Sequence, residues 1–203
     1  LHVGGTDFDR ALSLECVMPL LGYKGLMKSG AEVPSGLFFH LATWHTINFA
    51  YTRQAFADFQ SIYRDAAARR ELDRLARLIG QREGHWLALQ VEQAKIDLST
   101  DASTRLHLDR LEPGLHHDIT REDFTLATRS LVERVAATVS NLLDQAGIAR
   151  DQVDTLYFTG GASGVPQLRA RIAAELPHAR SVEGDLFGSI GAGLAVEAAR
   201  RYG

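Results

Sequence analysis

A helix-rich α/β fold is predicted for these 203 residues, and three observations predict it. Long stretches carry apolar residues three and four apart, the spacing that lines one side of a helix. From Val153 onward the pattern changes to a buried apolar run, a glycine turn, a proline-opened helix and a second short strand, which is a strand-helix alternation. The composition, 45% hydrophobic and 23% charged, can support a packed core and is unlike that of a disordered tail.

At 22.3 kDa the chain can form one large domain or two small ones. Lys and Arg total 22 against 25 Asp and Glu, a net charge of -3, so there is no basic field for nucleic-acid phosphates or an anionic membrane. No apolar run approaches the roughly 20 residues that a membrane-spanning helix needs. A single cysteine, Cys16, excludes an intrachain disulfide and a cysteine-based zinc finger, and it fits a reducing, cytoplasmic compartment. The opening Leu1-His2-Val3-Gly4-Gly5 reads as a strand tail entering a glycine turn, and the chain is expected to be part of a longer protein.

Asp7 and Asp9 precede apolar residues at helical spacing, from Ala11 to Leu21, and are read as caps, with Gly22 as the stop. Lys24 to Phe49 lacks a period and reads as loop and short pieces. Within it His40 and His45 are five apart, which is not the spacing of a helical metal pair. Arg53 to Ser99 reads as two or three helices broken near Gly80 and Gly84, with the charges from Arg69 to Arg77 forming a solvated face. A short strand is expected over Thr104–Leu111. His116-His117-Asp118 is expected to play ordinary polar roles, because adjacent residues on an extended chain face opposite ways. Thr120-Arg121-Glu122-Asp123 is a capping box, opening a helix that runs to Gly147. A strand over Val153–Thr159 follows, then a helix opened by Pro166, a strand near Arg180–Val182 and a last helix capped by Asp185.

Three places could hold chemistry. Gly160-Gly161-Ala162-Ser163-Gly164 sits between a strand and a helix, where backbone N–H groups can approach a phosphate; glycine for steric reasons alone explains it equally well. Asp185 to Gly193 is a second glycine-rich helix start, for which close packing is the simpler reading. Glu92, Lys95 and Ser99 share one helical face: a nucleoside clamp, or an exposed Glu–Lys pair. Periodicity leaves both open.

Glu92-Gln93-Ala94-Lys95-Ile96-Asp97-Leu98-Ser99 resembles the adenosine-binding helix of the seventy-kilodalton heat-shock chaperones (DnaK-type), with its Glu-x-Ala-Lys-x-x-Leu-Ser pattern. Val3–Asp9, Ile119–Phe124, Gly160–Pro166 and Glu183–Gly193 resemble further segments of that family in the same order. The closest style is that of a divergent, short bacterial branch. The resemblance implies the second lobe of an actin-like ATPase (a ribonuclease H-like fold). Residues 1–124 would be its outer helical subdomain and 125–203 its inner α/β subdomain, lacking N-terminal strands.

Carried over, Glu92 and Lys95 contact ribose and Ser99 adenine; Gly160, Gly161 and Ala162 meet phosphate and sugar, and Asp185 lines the cleft. The implied cofactor is ATP or ADP with magnesium, and the implied partners are a client protein or co-chaperone in a stress response. The family's adenine-stacking arginine falls at Gly164, its preceding serine at Ala162, and another arginine position at Ile96, which loosens base stacking. The groups that hold magnesium and position water belong to the other lobe, so no catalytic or metal residue is expected here, nor ATP turnover by this polypeptide alone. The family's strands preceding the first glycine turn would cover the inner sheet; without them, self-association through the uncovered edge is expected. An actin-like filament protein and a non-catalytic interaction module with a degenerate cleft are the rival readings.

Overall fold

The computed structural model describes residues 2–67, 69–184 and 189–202. The chain divides into two compact units, Thr6–Thr128 and Leu1–Gly5 with Arg129–Gly203. Each is described by itself.

In the larger unit, helix α1 (Gly5–Leu12) buries Phe8 and Leu12, continues as a π turn (Ser13–Val17) and a 3-10 turn (Met18–Leu21), and stops at Gly22. Gly22 has φ 101°, the left-handed stop that glycine supplies most readily. Neither expected aspartate is the N-cap residue itself, although Asp7 stands in the first turn. The helix already begins at Gly5, which puts Asp7 and Asp9 inside it.

The aperiodic stretch contains α2 (Gly36–Leu41) and a 3-10 segment (Trp44–Tyr51). Three helices follow: α3 (Arg53–Asp65), α4 (Arg70–Gly80) and α5 (Gly84–Thr100). Thr52 caps α3, its Oγ1 accepting the Ala55 N–H at 3.2 Å. Gly84 donates its N–H to the Tyr51 hydroxyl at 2.9 Å, and a Cβ there would press into Tyr51 and Ile47, so the break is set by a close approach.

Leu72, Leu75, Leu78, Leu87, Val91 and Leu98 form the core, at most 1% exposed. Phe56 of α3 and Leu89 of α5, apolar though they are, are each 50% exposed. The charged run on α4 is not wholly a solvated face either: Arg74 is 8% exposed.

Strand β1 (Ser103–His107) ends earlier than expected because the chain turns after Leu108, whose carbonyl accepts the Leu111 N–H at 2.8 Å. Its antiparallel partner is β2 (His116–Thr120), in register Leu106 to His117, a pairing that the polar sequence of β2 hid. Helix α6 (Arg121–Ala146) begins on the predicted capping box. Thr120 donates its N–H to Asp123 Oδ2 at 2.9 Å, and Asp123 donates its own to Thr120 Oγ1 at 3.1 Å.

In the smaller unit, β3 (Thr155–Phe158) pairs in parallel with β4 (Arg180–Glu183), joined through α7 (Pro166–Glu175). Val165, Leu168 and Leu176 are buried. The Gly184 N–H extends the ladder to the Phe158 carbonyl at 2.9 Å. Helix α8 (Ser189–Tyr202) closes the description. Asp185, its expected cap, lies outside the described residues.

Candidate functional site

Helix α5 brings the three clamp residues together. With 3.6 residues per turn, Glu92, Lys95 and Ser99 share one side. Val91, Ala94 and Leu98, each one residue earlier and at most 1% exposed, anchor the adjacent side. Glu92 is exposed; Lys95 and Ser99 are half-buried. Ser99 Oγ donates to the Ile96 carbonyl at 2.5 Å, which leaves its oxygen to accept a hydrogen bond from an incoming N–H.

Lys95 is not a free surface cation. Its Nζ lies 2.7 Å from Asp9 Oδ1, with the two side chains 14% and 19% exposed. Burial pushes the Asp9 carboxyl above its ordinary range, the Lys95 ammonium opposes that rise, and the Glu92 carboxylate adds to it. Nothing in the spacing of the chain could have joined Asp9 to Lys95; only the fold does.

Beside Glu92, toward the N-terminus of α5, is a hollow of about 220 Å³ bounded by Asp9 and Ser13, by Leu41 and Trp44, and by Ala88. A larger hollow, about 570 Å³, lies by Leu37, His40, Phe49 and Asp58 and touches none of the predicted site residues. The smaller one is the better candidate because two carboxylates reach it. His40 packs edge-on against Phe49, with ring centroids 5.6 Å apart. Among the described residues no three His, Cys, Asp or Glu side chains converge, so the side chains present do not build a magnesium cage of their own.

The other predicted group, Gly160, Gly161 and Ala162, forms the turn between β3 and α7. Gly160 has φ 83° and ψ 156°, a conformation essentially restricted to glycine, and a Cβ there would meet nothing within 4 Å. The turn is therefore open on that side. A 3-10 segment, Gly161–Gly164, follows, tied by Ser163, whose Oγ and N–H both donate to the Gly160 carbonyl at 2.6 and 3.0 Å. Arg169 Nε donates to the Ser163 carbonyl and its guanidinium also pairs with Glu183, fastening the turn to β4. Arg169 was missed, since an arginine midway along a helix carries no sequence signal of such a role. Gly164 and Ala162 present no guanidinium or hydroxyl, and Ile96 is 50% exposed beside Lys95. The helix face belongs to the unit Thr6–Thr128 and the glycine turn to the other.

A family model described as "Hsp70 protein" matches residues 78–199. Among curated relatives, a "Chaperone protein DnaK" of Halobacterium salinarum is 32% identical over 87 residues, covering 40% of this chain and 14% of that protein. A "Chaperone protein HscA homolog" of Delftia acidovorans is 37% identical over 75 residues, 36% of this chain and 12% of that one. A "Heat shock 70 kDa protein 14" of Macaca fascicularis is 29% identical over 161 residues, 77% of this chain and 31% of that one. The chain thus spans well under half the length of these relatives. The matched stretch takes in α5, the capping box, the glycine turn and most of α8, more than half of the chain, and on that ground the chain belongs to the Hsp70 family.

Proposed function

We propose that this chain is the second lobe of an actin-like, Hsp70-type ATPase and holds the adenosine end of ATP or ADP. The observation that carries the reading is the side of α5 where Glu92, Lys95 and Ser99 stand together, next to the side that is buried. A carboxylate there accepts from ribose hydroxyls. An ammonium has three donors, and those that Asp9 does not take can serve the same hydroxyls. The Ser99 oxygen accepts from the amino group of the base. In the smaller unit the open glycine turn lets phosphate oxygens approach backbone N–H groups, with Gly160, Gly161 and Ala162 as contacts.

Residues 1–124 then act as the outer helical subdomain and 125–203 as the inner one. Magnesium bound to the nucleotide's phosphates would supply charge neutralisation during transfer. This chain's residues bind and orient the nucleoside, and the other lobe supplies the groups that position water. Closure of the two lobes would signal to a client protein or co-chaperone in the cytoplasm.

Calorimetry with ADP and ATP on the full-length protein carrying this chain tests the reading. Glu92→Ala is expected to weaken ADP binding about tenfold, the loss of a charge-assisted contact. The purified 203-residue chain is expected to show no steady-state phosphate release. Undiminished affinity in Glu92→Ala, or turnover by the chain alone that disappears with Glu92→Ala, would overturn it. Turnover accompanied by polymerisation would point to the filament protein, and silence toward both nucleotides to an interaction module.

A further inference from the structure

We infer that Asp9 is a positioning residue of this site: its carboxylate holds the Lys95 ammonium where it can meet a bound ribose. The inference rests on the nucleotide reading above and extends it to a residue on another helix. A lysine on a helix surface ordinarily sweeps its ammonium through many rotamers and pairs only weakly. Lys95 does not, because its Nζ sits 2.7 Å from Asp9 and its side chain is 14% exposed. Asp9 is itself fixed, since α1 is anchored on either side of it by fully buried Phe8 and Leu12, and the Phe8 ring packs edge-on against Phe124 at 6.5 Å.

Asp9 and Glu92 also border the same hollow. Two carboxylates facing one space repel, and the lysine on their shared side offsets that repulsion. Asp9 keeps Lys95 in place, and the Lys95 ammonium opposes the rise that burial imposes on the Asp9 carboxyl. A bare structural staple could be made as well from apolar side chains, so a half-buried ion pair whose carboxylate borders an open hollow favours a binding role.

The test is a double-mutant cycle on ADP affinity, measured by calorimetry on the full-length protein with Asp9→Asn, Lys95→Met and both together. Asp9→Asn is expected to weaken ADP about tenfold when Lys95 is present and to change nothing further in the Lys95→Met background. If Asp9→Asn does not fold, Asp9→Glu, which keeps the charge but moves it by one methylene, takes its place in the same cycle. An equal loss in both backgrounds is what a merely structural role produces and overturns the inference. So does full affinity in Asp9→Asn where Lys95→Met is weakened, an outcome that leaves the nucleotide reading standing. Full affinity in both Lys95→Met and Glu92→Ala removes the nucleotide reading and the inference with it.

Discussion

Arg70 and Arg74 converge on one carboxylate: Arg70 Nη2 lies 2.6 Å from Glu112 Oε1, and Arg74 Nε 2.6 Å from Oε2. Arg74 also donates to the Leu20 carbonyl at 3.1 Å, so one buried guanidinium joins α4, the chain before Gly22 and the turn after β1. The hydrogen bonds from Arg70 and Arg74 hold the Glu112 carboxyl down to about 2. A carboxyl lowered in the fold contributes stability that is fully present above its unfolded value near 4.5 and is lost as pH falls toward 2. Glu112→Gln should therefore unfold at lower urea than the parent chain at pH 7. The gap should close between about pH 4.5 and 2, as urea midpoints across that range would show. A gap that stayed constant would mean the carboxylate's charge is not what matters. In the sequence Arg74 is one cation in a mixed run, and its partner is far along the chain. Position and packing, not local composition, decide which charge is buried.

Among the elements, α6 starts on a reciprocal cap, in which Thr120 and Asp123 satisfy each other's backbone donors. The Thr120 hydroxyl, donating to Asp123 Oδ2 at 2.6 Å, and the Thr120 N–H hold the Asp123 carboxyl below its usual range. Thr120→Ala is expected to cost about 1 kcal/mol of unfolding free energy. Thr138→Ala is the control. Its hydroxyl donates back to the Arg134 carbonyl at 2.8 Å within the helix, an interaction worth little, and the substitution should be nearly neutral. Matched urea midpoints for the two variants decide it. Elements of this kind were legible because their signals are local: the capping box, the glycines at the start of α5, Pro166 at the start of α7 and the period of the apolar side chains. The strand β2 was not legible, for its residues are mostly polar and it exists by pairing with β1. The clamp itself divides the same way. Glu92, Lys95 and Ser99 could be placed on one side of a helix by counting, whereas Asp9, which fixes Lys95, and Arg169, which fixes the glycine turn, join the site only through tertiary contact.

At the scale of the whole molecule, what stands out is a parallel pair of strands with little beside it. Parallel sheets ordinarily have helices on both faces and more strands at their sides, because each strand is apolar on both. Here β3 and β4 form a two-stranded sheet, each with an outer edge that no other described strand covers. Tyr157 of β3 is 60% exposed, and Leu194, Val196 and Tyr202 of α8 are 68%, 70% and 87% exposed. An uncovered edge offers unpaired backbone groups to another chain, and large apolar side chains left in water add to the drive for association. The purified 203-residue chain is accordingly expected to self-associate, with a mass by light scattering that rises with concentration above the 22.3 kDa of one copy. Leu194→Lys with Val196→Lys should lower that mass if α8 supplies the contact, and a charged residue in place of Tyr157 should do so if the sheet edge does. A particle that stays at one copy throughout the concentration range would mean that neither surface is exposed enough to matter.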